Sequence, residues 1–297
     1  QKEVTPERRA KLDLTTGLLS EAAPWDTNVT GTMYTYTGSL SYVTGSHNIK
    51  TGIQARSGFF QEQFTINGDI LLRYRSGAPD SVLVYNTPLT HREDVRWDIG
   101  VYIQDSWTLE RLTVNPGVRL DRLNMMRPAQ GGPGGTYVGA REYPANESVV
   151  QWNNVVPRFG VTYDVFGNGE TAIKGSISKY MRQEGTGTIS QVNPNQRSSS
   201  TRPWTDLNGD KLAQPNEVGA GTGFTGGLNR RIDPDIKRPY QWEWSVVVDH
   251  ELMPRLAVSL GYYGRKYRDL YAIENLLVPP TAYTPVTVTN PLTNQPM

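Results

Sequence analysis

From His47 to Phe59 the chain alternates residue by residue between two kinds of side chain, and no helical period competes with that alternation. His47, Ile49, Thr51, Ile53, Ala55, Ser57 and Phe59 share one parity, while Asn48, Lys50, Gly52, Gln54, Arg56 and Gly58 share the other. A period of two places the first set on one face of a β-strand and the second set on the opposite face. The preceding stretch behaves alike, with Tyr34, Tyr36, Leu40 and Tyr42 against Thr35, Thr37, Ser39 and Ser41. Thr44-Gly45-Ser46 lies between the two and is short enough to fold them into a hairpin.

Three further hairpins repeat the plan. Trp97, Ile99, Val101 and Ile103 oppose Asp98, Gly100, Tyr102 and Gln104, and beyond a turn from Thr108 to Arg111 come Leu112, Val114, Val118 and Leu120 against Thr113, Asn115, Arg119 and Asp121. Val155, Phe159, Val161, Tyr163 and Val165 oppose Arg158, Gly160, Thr162 and Asp164, and a turn from Phe166 to Glu170 leads to Ile173 and Ile177 opposite Lys174 and Ser176. Tyr240, Trp242, Trp244, Val246 and Val248 oppose Gln241, Glu243, Ser245 and Asp249. After a turn from Glu251 to Arg255, Leu256, Val258, Leu260 and Tyr262 face away from Ser259, Gly261, Tyr263 and Arg265. The expected fold class is all-β, an antiparallel meander of about eight strands.

Charge and loop length say what the apolar face meets. Lys50, Arg56, Asp98, Arg119, Asp121, Arg158, Asp164, Lys174, Glu243, Asp249 and Arg265 all keep to the polar parity, and the departures, Asp105 and Lys179, sit at strand ends. A charge facing lipid near mid-membrane costs about 2–4 kcal/mol, so the segregation suits a sheet bordering a bilayer. A soluble sandwich alternates too. The connections within hairpins are short, whereas those between them, residues 61–94, 124–153, 181–239 and from 266 onward, are long. Strict alternation of short turns and long loops is unusual in soluble domains and is the rule for outer-membrane barrels, whose short turns are periplasmic.

Composition narrows the classes further. With 30 Lys+Arg against 29 Asp+Glu, the chain lacks the basic surplus that binding nucleic acid requires. The absence of Cys excludes disulfide scaffolds, thiolate metal sites and Cys nucleophiles. A mean hydropathy of -0.52, with no apolar run near the ~18 residues needed, excludes a membrane-crossing helix but not a barrel, whose strands show lipid only every second residue. Tyr and Trp number 16 and 7 against 6 Phe, a bias toward rings with one wet end that suits a water–lipid boundary.

If Thr44 to Ser46 is periplasmic, residues 1–31 approach the first strand from outside and the tail after the last strand is external as well. The chain then resembles an interior slice of a larger barrel. The opening Gln1, without a signal peptide, and the ending Gln295-Pro296-Met297, without a terminal aromatic strand, carry the same expectation.

Motifs with chemical content are few. Asp206, Asn208 and Asp210, the backbone carbonyl of Leu212 and Glu217 occupy positions 1, 3, 5, 7 and 12 of an EF-hand-like Ca²⁺ loop. Lys211 stands where that loop requires glycine, and Asx-rich turns form from the same residue types without an ion. Ser176-Ile177-Ser178-Lys179 has S-x-x-K spacing but lies on an expected strand rather than one helical turn apart. Gly131-Gly132-Pro133-Gly134-Gly135 lacks the ending of a phosphate loop and reads as a flexible loop tip. His47, His91 and His250 have no metal-ligand spacing. Trp204, Arg202 and Tyr240 could bind a ligand, while Tyr240, Trp242 and Trp244 read better as an interfacial girdle. Nothing supports an enzyme, and no cofactor is required beyond possible Ca²⁺ in the 206–217 loop.

Three phrases carry a family resemblance: Ser41 to Gly52 (SYVTGSHNIKTG), Tyr102 to Trp107 (YIQDSW) with Leu112 to Arg119 (LTVNPGVR), and Val156 to Gly167 (VPRFGVTYDVFG). They resemble the barrel of TonB-dependent outer-membrane receptors of the Oar-like type. That resemblance implies a 22-stranded transmembrane β-barrel, of which this chain would supply about 8 strands, filled by an N-terminal plug and importing a scarce nutrient with energy relayed by the TonB complex. It divides the chain into an external approach, residues 1–31, and a partial receptor barrel, residues 32–297, without plug or TonB box. Its partners would be the lipid bilayer, a plug and the TonB complex through other parts of the protein, and an unknown nutrient, oligosaccharide or peptide. Lys50, Arg56, Asp98, Arg119, Arg158, Lys174, Glu243 and Arg265 would face the lumen. The alternatives are a passive porin or adhesin-like barrel, or a soluble β-rich carbohydrate-binding module. Fractionation of cells separates the last: the native protein is expected with outer-membrane vesicles, and its recovery in the soluble fraction would contradict both membrane readings.

Overall fold

A computed structural model describes residues 8–224 and 230–278, then 280–284, 286–290, 292–293 and 295. Gln1, the first residues of the 1–31 segment and the terminal Pro296-Met297 lie outside the described residues. In chain order the strands are β1 (Lys11–Asp13), β2 (Leu19–Ser20), β3 (Asp26–Thr44), β4 (His47–Thr65), β5 (Ile70–Arg75), β6 (Ala78–Tyr85), β7 (Leu89–Leu109), β8 (Leu112–Arg127), β9 (Gln130–Gly132), β10 (Arg141–Tyr143) and β11 (Asn146–Asp164). There follow β12 (Thr171–Met181), a one-turn helix α1 (Gly187–Ser190), β13 (Ser199–Pro203), β14 (Tyr240–Met253) and β15 (Leu256–Arg268).

Eight long strands form one antiparallel sheet in the order β15-β14-β12-β11-β8-β7-β4-β3, a meander once the short external strands are set aside. Its hairpins are the four that alternation predicts. Thr44 pairs His47 across Gly45-Ser46, Leu109 pairs Leu112 across Glu110-Arg111, and Met253 pairs Leu256 across Pro254-Arg255. Tight two-residue turns need left-handed backbone, and Gly45 (φ 53°) supplies it without a Cβ penalty.

One face of this sheet is apolar and uncovered. Ile53, Val101, Leu120, Val155, Phe159, Ile177, Val246 and Leu260 lie on it, with exposures from 45% (Phe159) to 77% (Leu260). A soluble sandwich would bury such a face under a second sheet, whereas water-facing monomers rarely expose contiguous apolar patches beyond a few hundred Å². The departures at Asp105 and Lys179 are locally satisfied. Asp105 accepts from His47 Nδ1 at 2.6 Å near a turn, and Lys179 Nζ lies 4.3 Å from the Tyr240 ring.

The strands outrun the expected boundaries. A membrane strand needs about 9–11 residues, yet β3, β4 and β11 have 19 each and β7 has 21, so their far halves project beyond a bilayer. A β-bulge hides the continuation of β7. Val95 pairs Gly58 and Asp98 pairs Arg56, so an extra residue at Arg96-Trp97 shifts the parity of everything before it. Below the bulge Asp98, Gly100 and Tyr102 share the polar face; above it Leu89, Glu93 and Val95 take that side and are buried.

The segments expected as loops also build a second, five-stranded sheet, ordered β13-β6-β5-β1-β2, with β1 parallel to β5. Residues 70–72 are Ile-Leu-Leu, buried on both faces as a run without alternation demands. Ile70, Leu72, Val82 and Val84 pack on one side with Tyr74 and Trp204, whose rings meet edge-on at 5.4 Å; Leu71 joins Phe64, Tyr85 and Leu89 on the other. Trp204 is therefore a core residue of this layer. Gly131 and Gly132 lie in β9, where a Cβ on Gly131 would strike the Arg141 carbonyl oxygen, so these glycines form a close-approach strand and not a flexible tip. Leu72→Ala is expected to cost about 2–5 kcal/mol in this external layer, raising its cleavage by protease added to intact vesicles while the protein still fractionates with membranes; unchanged protection would contradict the assignment of Leu72 to that core.

Candidate functional site

The polar face of the long sheet gathers the eight charges expected there. Lys50 pairs Gln104 across strands, Arg56 pairs Asp98, Arg119 pairs Tyr102, Arg158 pairs Ser178, Lys174 pairs Thr162 and Glu243 pairs Arg265, all in one parity. Strand register thus converts a period of two in seven strands into one charged surface.

That surface is unevenly neutralised. Lys174 Nζ meets Asp249 at 2.7 Å, and Arg265 Nη2 meets Glu243 at 2.7 Å, so the β12–β15 side is made of closed pairs. Arg56 pairs Asp98 and Arg119 pairs Asp121 on β4 to β8. The Arg119 guanidinium lies flat on Gly100, where any Cβ would strike it, and the Tyr102 phenol covers Gly52 in the same manner, a Cβ there lying 2.7 Å from its oxygen. Arg158 spreads over the Tyr180 ring at 4.9 Å.

Two clefts run along this face. One of about 340 Å³ is lined by Arg56, Arg119, Arg158, Tyr180, Gln183 and Arg238 among others; the second, about 480 Å³, shares Arg119 and Arg158 and extends to Lys50. Arg238 was not among the expected site residues. Its only trace in sequence is a place two residues before β14, inside the long 181–239 connection. The structure folds it back so that its Nε donates to the Arg182 carbonyl at 2.8 Å.

Towards the external end the same face turns apolar. Leu123, Met125, Val150 and Trp152 continue the parity of Arg119, Asp121 and Arg158, and they pack with Val95 and Ile189 of α1. Trp152 Nε1 donates to the Ile236 carbonyl at 2.8 Å, and Asn193 donates to the buried Glu93 at 2.6 Å. The 181–239 connection is thereby anchored over one end of the polar face as an overhang.

The 206–217 loop belongs to the external layer. Asp206 accepts from the Gly209 and Lys211 amides, Asn208 from Asp210, and Asp210 from Leu212. Glu217 accepts from the amides of Leu207 and Gln214. Lys211 itself adopts φ 59°, the left-handed conformation for which the expected loop would use glycine. Burial first, then the Asp206 and Asp210 charges, push the Tyr74 phenol up to about 12, which keeps it a donor to the Lys211 carbonyl at 2.5 Å. Among the described residues no three His, Cys, Asp or Glu side chains are grouped as a metal cage. The histidines are locally partnered as well, His91 by Glu62 at 3.2 Å and His250 by Thr171 at 2.8 Å, and Ser176 of the S-x-x-K match lies on β12 facing Ser245 at 2.8 Å.

A single-layer antiparallel sheet with one lipid-type face, one charged face, short turns at one end and a folded layer at the other defines a membrane-spanning β-barrel protein. The chain belongs to the outer membrane β-barrel domain family, whose model matches residues 6–297, and its place is the bacterial outer membrane. A comparison with curated proteins gives no significant match.

The external layer carries a pH dependence. Hydrogen bonds from backbone amides, foremost those of Gly77, Leu212 and Gln214, hold Asp13, Asp210 and Glu217 below their ordinary values of 3.8, 3.8 and 4.5. A carboxylate with a depressed folded pKa contributes stability that is complete above its unfolded value and is lost as pH falls through the folded one. Protease protection of this layer is therefore expected to be flat above about pH 5 and to fall below about pH 4; protection that rises on acidification would contradict these contacts.

Proposed function

We propose that the charged face lines the lumen of a larger barrel, and that the chain is the barrel segment of a TonB-dependent receptor importing a scarce polar nutrient. The observation that carries this is the polar face itself: paired and unpaired charges run the length of the sheet, opposite an apolar face almost free of them. A wall of that kind can hold a plug through hydrogen bonds and let a polar solute pass when the plug shifts. The two sheet edges, β3 and β15, favour the larger barrel, because unpaired strand edges are not tolerated in hydrocarbon and call for further pairing. The chain's strand–turn–strand phrases, residues 41–52, 102–119 and 156–167, resemble receptors of the Oar-like type. The external layer would then present the ligand-capturing surface, as folded loops on rigid scaffolds commonly do.

A passive porin or adhesin-like barrel would share the wall but need no energy. Uptake of a solute by cells producing the full-length protein, measured with and without TonB, separates the two. Uptake is expected to fall to background without TonB or after dissipation of the proton gradient. Solute flux that persists at full rate under both conditions would overturn receptor function in favour of a passive pore.

A further inference from the structure

We infer that the charged face carries a binding site for an anionic solute, one bearing a carboxylate or phosphate group, in the cleft between Arg119, Arg158 and Arg238. The inference names the substrate class of the lumen proposed above and rests on that face being the lumen wall.

Charge counting along the face separates its two halves. On β12 to β15, Lys174 with Asp249 and Arg265 with Glu243 cancel one another. On β4 to β11 and the overhang, the cations of the two clefts, Lys50, Arg56, Arg119, Arg158 and Arg238, stand against Asp98, Asp105 and Asp121. All three carboxylates are engaged, Asp98 by Arg56, Asp105 by His47 and Asp121 by Arg119. Among the described residues this leaves Lys50, Arg158 and Arg238 without an ion pair, a local surplus in a chain whose overall charge is only +1.

The three unmatched cations are arranged as a site and its approach. Arg238 is 5% exposed, spends its Nε on the Arg182 carbonyl and leaves Nη1 without a partner while lining the cleft of about 340 Å³. A buried guanidinium with an open N–H and no ion pair is costly, and an anion is the group that relieves it. Arg158 faces the same cleft, with its ring contact to Tyr180 covering its flat side and leaving its N–H edge for an oxygen. Gln54 and Gln183 on the lining can add neutral donors. The second cleft continues from Arg119 and Arg158 to Lys50, six residues from Arg56 along β4, or about 20 Å at ~3.3 Å per residue. A row of one sign against a low-dielectric wall concentrates counter-ions along it.

The test is calorimetric titration of the full-length protein, extracted from outer membranes in detergent at low ionic strength, with citrate and with inorganic phosphate. Saturable binding of at least one is expected, weakened about tenfold or more in Arg158→Gln. Arg238→Gln should behave alike if it folds; Arg158 is exposed on a strand and carries the test if it does not. Lys266→Gln, the same loss of charge on the opposite, exposed face, should leave affinity unchanged. No saturable heat with either anion, or equal affinity in wild type and Arg158→Gln, would overturn the site. Detergent binding needs no energy coupling, so the two proposals fail separately: binding with TonB-indifferent uptake removes the receptor and keeps the site, whereas TonB-dependent uptake without anion binding does the reverse.

Discussion

Every backbone N–H and C=O that enters hydrocarbon must be bonded within the protein, since an unpaired group there costs several kcal/mol. That constraint leaves a chain without a long apolar helix one way to cross, which is to pair strands edge to edge. The rest of this structure follows from it. Pairing fixes register, register holds each strand's parity across the sheet, and parity separates Ile53, Val101 and Leu120 from Arg56, Asp98 and Arg119. One physical requirement thus makes both the lipid-bearing surface and the charged wall.

Where the constraint lapses, beyond the bilayer, the strands change their chemistry without changing their pairing. On the polar parity Asp121 gives way to Leu123 and Met125, and Arg158 lies downstream of Trp152 and Val150 on the adjacent strand. Those apolar residues no longer need to face water because the 181–239 connection covers them. The bulge at Arg96-Trp97 performs a related adjustment on β7, re-aiming Val95 and Glu93 into the interior. Above this junction a second sheet grows from segments far apart in sequence, with Lys11–Asp13 beside Ile70–Arg75 and Ser199–Pro203 beside Ala78–Tyr85.

The four hairpins and their faces were legible in the sequence because a period of two is a local signal that lipid and water enforce together. Their outer halves were not, since a bulge interrupts the alternation at Arg96 and the buried runs beyond it, such as Ile70-Leu71-Leu72, are short and apolar on both faces. The external sheet depends on pairings over long separations, which no local pattern records. Lys50, Arg119 and Arg158 could be placed on one face from parity alone. Arg238 could not, because what brings it to them is the return path of a long connection.

The central claim is that parity assigns each residue of the long strands to lipid or to water. The protein contains no Cys, so single cysteines report cleanly on that assignment. Spin labels at Val101→Cys, Leu120→Cys and Val246→Cys, compared with Gln54→Cys and Ser176→Cys in reconstituted bilayers, measure it directly. The account predicts that the first three collide with oxygen dissolved in lipid and are shielded from a water-soluble nickel chelate, and that the last two show the opposite. Chelate access at Val101, Leu120 and Val246 equal to that at Gln54 would contradict it.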